Sequence, residues 1–157
     1  MATLYVTLGI SGCGKSTWTT KNGKGKIVIN PDSIRKELTG SVSDQTRNAE
    51  VFSLAYRRTR DALHNGISVV FDSTALNSKT RKELLDIARQ EKSNANLYVF
   101  EDSGFPTVCR NRVIKDMHDS VDRADTTRQD IIDRQFQSYK AAIEAIKTEP
   151  WTNIEYV

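Results

Sequence analysis

The octapeptide Gly9-Ile10-Ser11-Gly12-Cys13-Gly14-Lys15-Ser16 constrains this chain more than any other stretch. It fits the pattern G-x-x-x-x-G-K-[ST], it follows the β-branched run "LYVTL" (4–8), and the "KSTWTTK" after it can open a helix. Glycines let the backbone curl until successive N–H groups point inward, and the following helix adds the positive end of its dipole. Such a loop is a cradle for phosphate oxygens. The lysine of the pattern, Lys15, reaches β- and γ-phosphates, and the hydroxyl of Ser16 suits Mg²⁺. The expected ligand is therefore a nucleoside triphosphate, held by Gly9, Ser11, Gly12, Cys13, Gly14, Lys15, Ser16 and Thr17. Cys13 reads as a small residue that the loop tolerates rather than as a redox centre.

The rest of the chain repeats the strand-then-helix rhythm. "KIVIN" (26–30), "ISVVFD" (67–72), "NLYVFE" (96–101) and "NIEYV" (153–157) are short and rich in β-branched or aromatic residues, so each predicts a strand. Between them, residues 47–65 carry Phe52, Ala55, Tyr56, Thr59, Ala62 and Leu63 on one helical face. Residues 78–90 predict a helix capped at Asn77 or Ser78, and 128–147 predict a long helix ending before Pro150. Alternation of this kind predicts a three-layer αβα fold around a mainly parallel five-stranded sheet, in one domain over 1–157. One polar segment, "DMHDSVDRADTTR" (116–128), interrupts the rhythm and reads as an exposed excursion; with the residues before it, 110–128 are expected to form a small lid.

Composition excludes several classes. No apolar run reaches membrane-span length, and a strand-like run begins by Thr3, so neither a membrane span nor a signal peptide is expected. Two cysteines and two histidines support neither a disulfide framework nor a zinc site, which points to a reducing cytoplasm. A net charge of +3 is compatible with an anionic partner and decides nothing alone.

A phosphate loop serves motors, switches and kinases, so the acceptor side must discriminate. The chain is short for a motor ATPase and lacks an "NKxD"-like guanine reader, which leaves a small kinase. Asp32, in "INPDSIRKEL", falls just past the second strand, at the sheet edge where open α/β proteins bind ligands. Its carboxylate has two readings: a general base for an attacking hydroxyl, or the N-cap of the helix it begins. Asp72 closes the third strand in "VVFDST" and is suited to order Mg²⁺-bound water, directly or through the loop serine, or to hold neighbouring loops; Thr74 beside it could meet phosphate or cap a turn.

Taken in order, "GISGCGKSTW", "NPDSIRKEL", "VVFDST", "TRKEL", "CRNR" and "DIIDRQFQSY" resemble the kinase domain of phage-type polynucleotide 5′-kinases, within the adenylate-kinase-like P-loop group. The resemblance runs from Gly9 to about Tyr139 and is most specific in its first two motifs. It implies ATP and Mg²⁺ as cofactors, Asp32 as general base, Arg35 as a contact to substrate phosphate, and a nucleic acid with a 5′-hydroxyl end as partner. It also implies a lid arginine over the γ-phosphate. Here the family spacing is broken, since Arg110-Asn111-Arg112 is followed by Val113, Ile114 and Lys115. Arg112 is the first choice for that role, with Arg110, Lys115 and Arg123 as further candidates. Ala75 stands where such kinases often have asparagine, and no phosphatase or ligase segment is expected.

Basic residues Arg35, Lys36, Arg47, Arg57, Arg58 and Arg60 cluster after Asp32 and could track a nucleic-acid backbone, although a solvated helix face would show the same arginines. Tyr56 and Trp18 read as packing residues rather than base-stacking platforms. Two rival functions stand beside the 5′-kinase: phosphorylation of a hydroxymethylated base in phage DNA or of a small-molecule hydroxyl, and a nucleotide-dependent binding module that transfers nothing. No protein partner is evident, and DNA against RNA, nucleobase preference and oligomeric state are open.

Overall fold

The computed structural model describes residues 2–10, 15–100 and 129–157. The five expected strands form: β1 (Thr3–Leu8), β2 (Ile27–Ile29), β3 (Val69–Phe71), β4 (Asn94–Val99) and β5 (Asn153–Tyr156). They make one sheet in the order β2-β3-β1-β4-β5, and every pairing is parallel. β1 is central and buries four of its six residues, with Leu4, Val6 and Leu8 fully so, whereas β2 and β5 leave Val28 and Tyr156 exposed at the edges.

The helices are α1 (Lys15–Asn22), α2 (Pro31–Thr39), α3 (Asn48–His64), α4 (Ser78–Gln90) and α5 (Gln129–Ala145), the last continued by a 3₁₀ turn over Ile146–Thr148. They cover both faces of the sheet. Trp18 of α1 lies 4.6 Å from Tyr98 and 5.9 Å from Phe100, on the face that carries Tyr5 and Thr7. Tyr56 of α3 stacks on Phe71 at 6.2 Å, on the face that carries Leu4, Val6 and Leu97. Both aromatics are therefore packing residues.

Differences from the sequence expectations are small and have physical causes. α3 turns Val51 inward with Ala55, Ala62 and Leu63, while Phe52 and Tyr56 are half-buried at the rim. Thr59 is fully buried and donates to the Ala55 carbonyl at 2.8 Å, which satisfies its hydroxyl within the helix. β4 begins two residues before the apolar run, because Asn94 and Ala95 continue the ladder with Thr3 and Leu4. Asn77 caps α4, its side chain accepting from the Lys79 N–H at 2.8 Å. The expected lid over 110–128 lies outside the described residues.

In a fully parallel sheet every strand delivers its carboxyl end to the same edge. The connection after β1 runs to β2 on one side, and the connection after β3 crosses to β4 on the other, so the chain reverses direction around β1. That reversal opens a crevice beyond the ends of β1 and β3, the place where open α/β sheets bind ligands.

Candidate active site

The end of β1 leads into Gly9 and Ile10, and Lys15 opens α1 on the far side of the loop. A Cβ on Gly9 would stand 3.0 Å from the Phe100 Cβ and 3.3 Å from its carbonyl oxygen, so close approach rather than backbone strain requires glycine there. Gly9 N–H donates to the Thr74 carbonyl at 3.0 Å. Thr7, fully buried, donates from Oγ1 to the Ser73 carbonyl at 2.9 Å and accepts from the Ser73 N–H at 3.2 Å. The start of the phosphate loop is thus clasped to the segment after β3. Thr74 contributes its backbone to that clasp.

Lys15 is only 8% exposed, and its Nζ donates to the Ile10 carbonyl at 2.5 Å. Asp72, 7% exposed, lies near enough to feel its charge. Burial pushes the Asp72 carboxyl above the ordinary carboxylate range; the Lys15 charge and hydrogen bonds from Asn30 and Thr7 oppose that rise, and the like charge of Asp32 adds to it. Ser16 and Thr17 fall in the first turn of α1, with Thr17 exposed. The remaining loop candidates Ser11, Gly12, Cys13 and Gly14, and the lid candidates Arg110, Arg112, Lys115 and Arg123, lie outside the described residues.

Asp32 is brought to the same edge. Of its two sequence readings, the cap belongs to another residue: Asn30 is the N-cap of α2, its Oδ1 accepting from Asp32 N–H at 2.8 Å and Ser33 N–H at 3.2 Å, with Pro31 at the first helical position. Asp32 sits one residue further on, with its side chain 54% exposed and its charge near enough to be felt at Asp72. Arg35 Nη1 pairs with Asp32 Oδ1 at 2.5 Å. The Arg35 side chain is 6% exposed, and it also donates to Asn48 Oδ1 at 3.0 Å and the Val42 carbonyl at 3.5 Å. It ties Asp32 to the α2–α3 connection and the first residue of α3.

Asn30 was missed as a site residue, although Asn-Pro before a helical run is a legible capping signal. Its other face could not be read from sequence: Nδ2 donates to Asp72 Oδ2 at 3.2 Å. The buried Arg81 of α4 was also missed. It donates to both carboxylate oxygens of Glu149, at 3.0 and 3.1 Å, and to the Ala75 and Leu76 carbonyls at 2.9 and 3.0 Å. Ala75 has a left-handed φ of 51°, so this guanidinium holds an uncommon turn directly after Thr74.

The basic cluster after Asp32 is largely engaged at home. Arg47 pairs with Glu50 and donates to the Leu38 carbonyl, Arg58 pairs with Glu37, and Arg60 reaches Gln90. Arg57 is exposed.

The donor set fits a magnesium nucleotide. One buried carboxylate beside a phosphate cradle is what Mg²⁺ needs when phosphates and water supply its other ligands, and no group of three His, Cys, Asp or Glu suited to a metal occurs among the described residues. No helix of the described residues is long and apolar enough to cross a membrane.

Comparison with known proteins agrees with this fold. A candidate kinase from Chloroflexus aurantiacus is similar over 99% of this chain and 87% of its own, at 12% identity and a TM-score of 0.72. A chain of the Pnkp1/Rnl/Hen1 RNA repair complex is similar over 92% of this chain at 15% identity and a TM-score of 0.74; the present chain spans 46% of its length. A gluconokinase from Sinorhizobium meliloti is similar over 99% of this chain and 81% of its own, at 18% identity and a TM-score of 0.58. These likenesses establish a P-loop kinase-like α/β fold. No curated protein sequence matches the chain. The model of one protein family, described as an AAA domain, matches residues 4–146, and the chain belongs to that family, AAA_33.

Proposed function

We propose that this chain is a P-loop phosphotransferase that moves the γ-phosphoryl group of ATP to an alcohol, the 5′-hydroxyl of a nucleic acid. The observation that carries the reading is the meeting, at one sheet edge, of Lys15 and buried Asp72 with an exposed Asp32 that is not a cap. A nucleotide-binding module without transfer has no use for an oriented, accessible carboxylate beside its phosphate loop.

In this mechanism Asp32 accepts the proton of the attacking hydroxyl as the new oxygen–phosphorus bond forms and the bond from the γ-phosphorus to the bridging oxygen breaks, leaving ADP. Arg35 keeps Asp32 oriented. Lys15 stabilises negative charge on the transferring group, and Arg112 is the first choice for a second cation. When bound, Mg²⁺ neutralises charge on the β- and γ-phosphate oxygens; Ser16 and Asp72 would hold it, Asp72 through water. The 5′-hydroxyl acceptor is supported by the motif resemblance and by the likeness to a chain of an RNA repair complex.

One observation favours a second acceptor. Arg35 is buried against Asp32, and Arg47 and Arg58 are paired with glutamates, so half of the six basic residues that could track a backbone are neutralised within the chain. A small polyol carries at most one negative charge and needs fewer cations than a polynucleotide backbone, and a gluconokinase shares the fold. Labelled ATP offered with 5′-hydroxyl oligonucleotides, with DNA carrying hydroxymethyl bases, and with gluconate and other small polyols separates the acceptors. Label at the 5′ end supports the first reading, and its absence there with label elsewhere rejects it. Asp32→Asn should lower the transfer rate by about 10²–10⁴-fold while nucleotide binding persists; an unchanged rate would remove Asp32 from the mechanism.

A further inference from the structure

The Asn30 side chain hydrogen-bonds both to the backbone of Asp32 and to the carboxylate of Asp72. Its oxygen is committed to the first turn of α2, through the N–H groups of Asp32 and Ser33 at 2.8 and 3.2 Å. Its nitrogen is committed to Asp72 Oδ2 at 3.2 Å. The backbone repeats the link: Asp72 N–H donates to the Ile29 carbonyl at 2.8 Å, and Ile34 N–H to the Asn30 carbonyl at 3.1 Å.

Residue chemistry explains why asparagine stands there. Serine, threonine, aspartate and asparagine all cap helices well, so capping alone does not select among them. An ionised carboxylate such as Asp72 only accepts, and it needs a donor. The carboxamide carries an acceptor and two donor hydrogens on one planar group, with a fixed spacing between them. Aspartate at this position would cap equally and repel Asp72. Serine would cap and be too short to serve both sides.

We propose that Asn30 is a positioning residue that sets Asp32 against Asp72, coupling the acceptor side of the crevice to the nucleotide–metal side. The proposal rests on the phosphotransferase reading for its catalytic consequence. Its geometric part, the hold on Asp72, can be tested by nucleotide binding alone. Groups that orient the ligands of a metal are worth about 10–100-fold in metal affinity or activity.

The test compares Asn30→Ser, which keeps a cap, with Asn30→Asp, which keeps a cap and adds repulsion, and with Asn30→Ala, which loses both functions. Three quantities are read: the affinity for a fluorescent ATP analogue with Mg²⁺ and with EDTA, the thermal midpoint, and kcat with the acceptor KM. Asn30→Ser is expected to hold its midpoint near wild type and to lose about tenfold of the Mg²⁺-dependent gain in affinity, with affinity in EDTA unchanged. Its kcat should fall about tenfold or more with the acceptor KM within about twofold, and Asn30→Asp should be worse on both counts. If Asn30→Ser and Asn30→Asp keep the Mg²⁺ gain and kcat while only Asn30→Ala is destabilised, Asn30 is a cap and nothing more. If Asn30→Ser proves unstable, Asn30→Asp decides by the same Mg²⁺ comparison. A wild-type chain that phosphorylates no acceptor would overturn the kinase reading but not this one, because the Mg²⁺ gain is read without turnover.

Discussion

Replacing Arg81 by alanine tests how far the phosphate loop depends on a group with no direct part in chemistry. The side chain is 1% exposed and makes four hydrogen bonds, two to Glu149 and two to the carbonyls of Ala75 and Leu76. Removing one partner of a buried ion pair costs about 3–5 kcal/mol, because the remaining charge stays buried and uncompensated. Glu149 is 19% exposed and keeps a hydrogen bond from Trp151 Nε1 at 2.9 Å, which argues for the lower end, about 3 kcal/mol. For a chain of this length that corresponds to a fall of about 6–12 °C in thermal midpoint. The same change frees the turn at Ala75, whose predecessor Thr74 accepts from Gly9 N–H, so nucleotide affinity should drop along with stability. Urea unfolding followed by circular dichroism gives the first quantity and titration with a fluorescent ATP analogue gives the second. Paired apolar replacement, Arg81→Met with Glu149→Leu, should recover part of the stability, because no charge is then left buried alone, but little of the affinity. A loss below about 1 kcal/mol in Arg81→Ala would refute the reasoning and reduce the network to a solvated surface pair.

Asp72→Asn should raise stability while it weakens nucleotide binding in Mg²⁺. Burial lifts the Asp72 carboxyl above its ordinary value of 3.8, so ionising it costs more in the folded chain than in the unfolded one, and wild type loses stability as pH rises through that value toward the raised folded one. The advantage of Asp72→Asn is therefore largest above the raised folded value and fades as pH falls toward 3.8; an advantage that does not shrink as pH falls in urea titrations would contradict this. Gly9→Ala drives a methyl group to 3.0 Å from the Phe100 Cβ, and overpacking of that kind costs about 1–3 kcal/mol. Its thermal midpoint and ATP-analogue affinity should both fall, and a variant indistinguishable from wild type would show that Phe100 yields freely.

Much of this protein was legible before any coordinates. The strand–loop–helix around Gly9 to Ser16 is a local signal, since glycine spacing and the apolar run on its amino side act within one short stretch. The helix over 78–90 was readable for the same reason, because its 3.6-residue periodicity and a cap at Asn77 or Ser78 are written in consecutive positions; the structure gives the cap to Asn77. Asp32 was legible as one of two things, a base or a cap. Choosing between them required seeing that Asn30 already serves the amide groups of α2, a matter of backbone angles that the letters Asn-Pro-Asp leave open. Arg35 could be named from motif resemblance. Its burial against Asn48 and Val42 depends on how α2 packs against α3.

By itself, then, the amino-acid sequence determined the elements, the parallel α/β class and the triphosphate cradle, all of which rest on short-range periodicity, turn chemistry and one spacing. Tertiary structure alone decided which polar groups meet. Asn30 and Asp72 are 42 residues apart, and Arg81 and Glu149 are 68 apart. No pattern within a strand or helix encodes such pairs. They arise when parallel strands bring their carboxyl ends to one edge and a buried donor must find its acceptor there.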